Sequence, residues 1–372
     1  MALLAWGFGL YGQSVYLAEL TRTRGWSTGL ISAANTLYYL IGAVAMTRVH
    51  AVVARFGPRA VLIGGCLLMA GGACAEAFVT ARWQLFVCLA VMALGWAATS
   101  TVGIATTIAL WFDKRRGLAL SLAQNGASAA GFTVAPALVA LVDLWGLQGA
   151  VPVLLAGLLV LILPLLFIAL RAPLHAPQNR AGLQTAALRD ARFWTIAAPF
   201  ALGLAAQVGF IVHQVPFLLP MLGTAATALT VTAATVAAMI GRLALGLVID
   251  RLNQRRIAAA SLASQAAAML LMLFWPSPTN YVIGLLLFGF SVGNLITLPP
   301  LIVARSYPPE SFGAIVGLNG AVVQICFAFG PLLLGLAHDL SGGYAAALAL
   351  CAAWQIVGAA IVLGGDGRRR AA

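Results

Sequence analysis

GAVPVLLAGLLVLILPLLFIAL, residues 149–170, runs for 22 residues without a charge and gives way at once to RAPLHAPQNRAGLQTAALRDARF, 171–193. A helix rises about 1.5 Å per residue, so about 20 apolar residues cross the hydrocarbon layer of a bilayer. The first stretch therefore reads as a membrane span and the second as a polar link. Outward from this junction the alternation recurs, with spans expected near 1–19, 27–47, 60–80, 84–111, 117–141, 149–170, 194–219, 225–249, 257–275, 280–304, 312–337 and 343–364. Long continuous apolar runs exclude a transmembrane β-barrel, whose strands alternate over about ten residues. The whole chain of 372 residues is 62% hydrophobic and 8% charged, against roughly 25% charged in soluble domains. A soluble enzyme is excluded. The expected fold class is an all-α polytopic membrane protein of twelve helices. They form an N-terminal six-helix bundle, 1–170, a cytoplasmic linker, 171–193, and a C-terminal six-helix bundle, 194–372.

The net charge of +12 invites a nucleic-acid reading, but the placement of the basic residues answers it. Of 21 Lys and Arg, only Arg22, Arg24 and Arg82 fall on odd-numbered links, and Arg242 lies inside the eighth span. The other seventeen sit on even-numbered links, the linker or the C-terminus. Positive loops stay cytoplasmic, so both termini are expected in the cytoplasm and no nucleic acid is needed. The five cysteines lie inside apolar runs without paired metal or redox spacing, and behave as small core residues. MALLAWGFGL, 1–10, has no basic n-region and reads as the first span rather than a signal peptide. Its abrupt start leaves room for residues before Met1.

The two halves repeat at one offset. Arg55 and Arg59 recur as Arg251 and Arg255, Gly117 and Leu122 as Gly313 and Leu318, and Asp143 and Gly146 as Asp339 and Gly342, each 196 residues later. Matching links in the same order indicate a parallel duplication, as in secondary transporters whose halves share an axis along the membrane normal.

The link GLVIDRLNQRR, 246–256, resembles the loop motif of the major facilitator superfamily, Gly-x-x-x-Asp-Arg-x-Gly-x-Arg-Arg, with Asn253 in place of the second glycine. Its first-half copy, HAVVARFGPR at 50–59, keeps Arg55, Gly57 and Arg59 but has Ala54 for the aspartate. WFDKRRGLALSLAQNGASAAG, 111–131, is similar to the fourth-to-fifth-helix segment of the monocarboxylate-porter and oxalate/formate-antiporter branches, and GWS, 25–27, and YPPESFGAIVGL, 307–318, fit the same branches. The resemblance implies alternating-access transport of a small organic anion, a monocarboxylate first, by a protein that works as a monomer in a bacterial-type inner membrane. It also implies that an arginine at the place of Arg242 contacts the anion. Two departures stand beside it. Ala238 occupies the position of the porters' aspartate, and NGAVVQICF, 319–327, offers Gln324 where the oxalate-type exchangers carry a cation.

From the residues themselves, Arg242 lies eight positions, or about 12 Å, before Asp250, near the middle of the bilayer. An arginine there costs at least about 2.5–3.5 kcal/mol on insertion scales. It is expected to face a wet cavity as a bidentate carboxylate clamp, the alternative being a structural arginine held by helix carbonyls. Tyr38, Gln324, Asn35, Gln13, Gln207, Asn294 and Asn125 are the other polar residues at membrane depth put forward for substrate. Each taken singly serves as readily as interhelical glue. Asp250, Arg251, Arg255 and Glu310 on one side, with Arg55, Arg59, Asp113 and Arg116 on the other, form a candidate inner gate whose charge pairs bias two states. His213 and Glu76 are the candidate proton sites, although Glu76 and Glu19 are expected near the membrane interface beside Arg22, Arg24 or Arg82. Without a carboxylate at mid-membrane, exchange of one anion for another is the expected mode. No metal-ligand spacing, nucleophile–base pair, phosphate loop or cofactor motif is present in the sequence. Efflux of amphipathic drugs is the second reading, and a transport-dead sensor the third.

Overall fold

The computed structural model describes residues 1–112, 115–170 and 183–367, and among these every regular element is helical. Asp113 and most of the linker, 171–182, lie outside the described residues. Among the described residues, ten apolar helical segments are long enough to cross a membrane. They account for eleven of the expected spans, because the fifth and sixth run together as Arg116–Ala169, bent at Gly146, where φ is +65°. The first expected span differs most. It is broken into Ala2–Trp6, a π-helical turn Gly7–Tyr11 and Gln13–Arg24, and its apolar part is only ten residues long, Ala2–Tyr11. Twelve separate apolar helices are therefore not what is seen. The cause is local: Gly7, Gly9 and Gly12 let the turn widen, so that the Gly12 amide bonds the Gly7 carbonyl at 2.7 Å.

The helix boundaries follow from side chains that satisfy the open N–H groups of a first turn. Ser27 Oγ accepts from the Leu30 amide, Ser277 Oγ from Asn280, and Asn253 Oδ1 from both Arg255 and Arg256. Gln84 Oε1 accepts from the amides of Thr80 and Ala81, closing the entry to Arg82–Thr99. The duplication is visible in these starts. Helices begin at Pro58, Arg82 and Arg116, and again at Gln254, Pro278 and Phe312, each pair 196 residues apart. Gly57 opens its helix with φ +80°, whereas Asn253, at the equivalent place, caps its helix with φ −74°. The side-chain cap removes the need for the motif's second glycine.

The chain divides into two compact units. The first is Met1–Lys114, Ala123–Arg180 and Val316–Ala321; the second is Arg115–Leu122, Ala181–Ile315 and Val322–Ala372. In the first unit, helices Pro58–Ala77 and Arg82–Thr99 meet through small residues. A Cβ on Gly72 would stand 2.9 Å from the Cys88 carbonyl, and one on Gly65 2.7 Å from Ala98. In the second unit, Phe210, Met269, Met272, Leu285, Phe288 and Leu334 are buried together, with the rings of Phe210 and Phe288 edge-to-face at 5.0 Å. Large apolar side chains such as Val160, Leu161, Phe167 and Ile168 are exposed. Where every face of a helix is apolar, the outer face meets lipid.

Candidate functional site

In the second unit, Arg242 lies on the helical segment Ala225–Arg251 and is 1% exposed. Its Nε donates to the Gly293 carbonyl at 3.2 Å, and Thr297 Oγ1 donates to the same carbonyl at 3.1 Å. Gly293 belongs to the Gly289-x-x-x-Gly293 pair on Pro278–Ser306. A Cβ there would stand 2.7 Å from Arg242 Nε and 3.0 Å from the Ala238 carbonyl. The small residues Ala238 and Gly293 thus let the two helices close around the arginine stem. The next residue, Asn294, is buried, donates from Nδ2 to Ser261 Oγ at 3.2 Å and leaves Oδ1 without a partner. Gln324 is also buried in this unit.

Gln207 has a different setting. Its Oε1 accepts from Gln265 Nε2 at 3.0 Å, and Gln265 Oε1 accepts from Gln355 Nε2 at 2.7 Å. Gln355 Nε2 also reaches the Gly203 carbonyl at 3.3 Å. Three buried amides therefore join three helices, which is the interhelical alternative weighed for such residues. Gln265 and Gln355 were not singled out from the sequence; glutamines inside two apolar runs were the available signal. His213 Nε2 donates to the Pro331 carbonyl at 3.0 Å, which leaves Nδ1 to accept from the Tyr344 hydroxyl at 3.4 Å. Both ring nitrogens tie helices together.

Among the described residues expected to gate, Asp250 caps a helix and several of the arginines meet carbonyls or rings. Asp250 Oδ1 accepts from the Gly117 amide at 2.9 Å, at the start of Arg116–Phe132. Carboxylates favour that end of a helix because its open N–H groups and dipole are positive. Arg255 is buried and donates from Nη1 to Thr195 and to the Val362 carbonyl. Arg59 Nε donates to the Leu170 carbonyl at 2.8 Å and its guanidinium lies over Phe167. Arg55 and Arg116 stack on Phe56 and Phe312. Arg251 is exposed and Glu310 stands in a single 3-10 turn. Tyr307, on the link before it, donates to Asp190 Oδ2 at 3.0 Å; burial first, then this bond, pushes its hydroxyl above the ordinary phenol range.

In the first unit, Tyr38 is fully buried, Gln13 is 6% exposed, and Asn35 and Asn125 each keep an Oδ1 with no partner. Trp6, Tyr38, Tyr39 and Trp96 pack ring against ring, with Trp6 and Trp96 5.1 Å apart. Glu19 pairs with Arg22 at 2.7 Å, as an interfacial acid should. Glu76 does not. It is 0% exposed, and its Oε2 accepts from Gln13 Nε2 at 3.3 Å. It meets Gln13 instead of an arginine because Pro58–Ala77 ends against Gln13–Arg24, where Tyr16 donates to the Ala73 carbonyl at 2.7 Å. The small residues of GGACAEA, 71–77, were the sign that this end of the helix packs inward.

These features sit in a chain whose sequence is matched by a family description, Major Facilitator Superfamily, over residues 1–331 and 220–371. The chain belongs to that superfamily. Among its relatives, mouse monocarboxylate transporter 11 is 28% identical over 336 residues, covering 83% of this chain and 73% of the relative. Bovine monocarboxylate transporter 13 is 28% identical over 328 residues, covering 83% and 74%. Human monocarboxylate transporter 11 is 30% identical over 343 residues, covering 83% and 69%. Two solved structures share the fold. The E. coli fucose:proton symporter superposes with a TM-score of 0.76 at 17% identity, over 98% of this chain and 96% of the other. The human organic anion transporter superposes with 0.73 at 13% identity, over 97% and 96%. As a member of the Major Facilitator Superfamily the protein is an integral membrane transporter of small molecules and not an enzyme.

Proposed function

We propose that this transporter carries a small organic anion, a monocarboxylate, by alternating access between its six-helix halves, 1–170 and 194–372. The observation that carries the reading is Arg242, 1% exposed on an apolar helix, with its guanidinium oriented through Nε on the Gly293 carbonyl. An arginine buried at that depth needs an anionic or carbonyl partner, and its planar fork matches a carboxylate. The names of the relatives, monocarboxylate transporters 11 and 13, support the same substrate class. Asn294 and Gln324, buried in the same unit as Arg242, supply hydrogen bonds to the rest of the substrate. Arg242 stays charged because its pKa lies above about 12. Anion-for-anion exchange is a partial reaction of the same carrier. The setting is a bacterial-type inner membrane with both termini cytoplasmic, the unit is a monomer, and Asp250, Arg251 and Glu310 remain the inner-gate residues.

A thermal-shift screen of short-chain and aromatic carboxylates on the purified protein tests this, with Arg242→Lys and Arg242→Gln beside the native chain. Carboxylate-induced stabilisation should weaken in the lysine variant and vanish in the glutamine variant. Equal stabilisation in all three would refute the clamp. It would also promote a second reading, export of amphipathic compounds, which the Trp6–Tyr38–Tyr39–Trp96 ring cluster favours.

A further inference from the structure

Glu76 and Gln13 form one half of an acid–amide pair. The amide nitrogen reaches Glu76 Oε2 at 3.3 Å and the Phe8 carbonyl at 3.1 Å. Glu76 Oε1 and Gln13 Oε1, both buried, have no partner. Those two orphans are both acceptors when the acid is ionised, and an acid and an amide satisfy each other fully only when the acid contributes an O–H. A buried acceptor without a partner is costly enough that native proteins rarely keep one. A proton on Glu76 would satisfy both oxygens at once.

A third orphan points the same way. Tyr38 is 0% exposed, its hydroxyl has no partner, and it lies within electrostatic reach of Glu76. Gln13 bonds Glu76, and Tyr16 on the first span, Tyr38 on the second and Cys88 on the fourth lie within its electrostatic reach. These are amide, phenol and thiol groups. The Phe8 carbonyl that shares the Gln13 amide belongs to the π-helical turn Gly7–Tyr11, and such turns recur at functional sites. A Cβ on Gly9 in that turn would meet the Tyr38 hydroxyl and stand 2.6 Å from Met69 Cε. The widened turn is therefore built around these polar groups.

We infer that Glu76, paired with Gln13 and faced by Tyr38, is the proton-binding site of the carrier. The inference rests on the anion-transport reading only for what the proton accompanies. In the loaded state the Glu76 carboxylate takes one proton from the medium, its O–H completes the pair with Gln13 Oε1, and the bound monocarboxylate balances Arg242. On the opposite side the anion leaves and the O–H bond gives its proton to water. The empty carrier then returns with Glu76 ionised and Arg242 charged, again without net charge among these groups. One proton and one anion move together, which adds net uptake to anion exchange.

Infrared difference spectroscopy on the full chain in lipid nanodiscs tests the site without a substrate, and nine acidic residues keep the carboxyl region simple. Between mildly acid and alkaline pH the native protein should show a titrating buried carboxylic C=O band. Glu76→Gln should remove it, Glu19→Gln should leave it, and Gln13→Leu should shift it while Glu76 is still present. In proteoliposomes, with radiolabelled pyruvate as the probe, an inward pH gradient should accelerate uptake into empty vesicles. Glu76→Gln should lose that response and keep pyruvate–pyruvate exchange, and Glu76→Asp should restore part of it. A carboxyl band that is absent, or indifferent to both Glu76→Gln and Gln13→Leu, overturns the proposal. So does uptake driven by a sodium gradient with no response to pH. Failure of the native protein to move pyruvate, with the Glu76 band intact, counts against the substrate reading and leaves the proton site standing.

Discussion

Gly293→Ala leaves Arg242 in the chain and disturbs only where it sits. The added Cβ would lie 2.7 Å from Arg242 Nε and 2.8 Å from Arg242 Cβ, with the Ala238 carbonyl at 3.0 Å. To regain an ordinary contact of 3.4 Å, Nε must recede by at least 0.7 Å. The opposing wall is backbone, so the side chain gives way and its bond to the Gly293 carbonyl is lost or lengthened. Overpacking of this kind costs about 1–3 kcal/mol in stability. A displacement approaching 1 Å in a positioned group can cost about a hundredfold, which is about 2.8 kcal/mol at about 1.4 kcal/mol per decade. Thermal unfolding in detergent, with and without the carboxylate that best stabilises the native protein, separates the two effects. The apo midpoint should fall by a few degrees and the ligand-induced rise should be nearly abolished. A variant with a lowered midpoint but an undiminished ligand response would refute the reasoning, because Arg242 would then not be what the ligand touches.

Asp250→Ala removes the acceptor that caps Gly117 and should lower stability by about 0.5–2 kcal/mol, whereas Asp250→Asn keeps an acceptor oxygen and should lose only part of that; chemical unfolding of both variants checks the order. Gln265→Leu strands Gln207 Oε1 and takes away an acceptor from Gln355, so it should destabilise by about 1–3 kcal/mol for each buried group left open. Simultaneous replacement of Gln207, Gln265 and Gln355 by leucine should be milder than that single change, and the reverse order in thermal midpoints would count against the amide chain. Tyr307, whose hydroxyl titrates above its unfolded value, contributes stability that is complete below the ordinary phenol pKa of about 10 and is lost as pH rises further. Tyr307→Phe should flatten that alkaline decline and leave the neutral region displaced by a constant; an unchanged alkaline slope would show that another group sets it.

The architecture was legible because bilayer thickness acts on each span by itself, and apolar length is written directly in runs such as 149–170. The duplication was legible in the links, where Gly146 and Gly342 share positive φ and their 196-residue spacing. The first span was misread because a π turn keeps the apolar composition of a helix, and only Gly7, Gly9 and Gly12 hint at it. Arg242 was visible from its cost in hydrocarbon. The partner of Glu76 was missed because position along a span gives depth but not direction. One turn from the end of a helix, the same acid can meet lipid headgroups or, as here, the amide of Gln13. Gln207 shows the complementary loss, since a side chain at the right depth faced Gln265 and a neighbouring helix. Asp250 was read as a gate residue from its charge, and the Gly117 amide that it caps has no letter in the sequence.

The amide chain of the second unit also has a sense of direction. From Gln355 through Gln265 to Gln207, each nitrogen donates to the oxygen ahead of it, so no amide can flip alone without setting like against like. Three helices are thereby keyed to one another in rotation and in axial register. A slide of one residue, about 1.5 Å, or a twist of about 100° by any of them would unmatch two amides in a hydrocarbon setting. Slippage along this seam is barred in a way that leucine packing alone, which tolerates sliding, would not provide. Whatever motion the transport cycle requires, the helices bearing Gln207, Gln265 and Gln355 make it as one block, and flexing is left to the seams that amides do not cross.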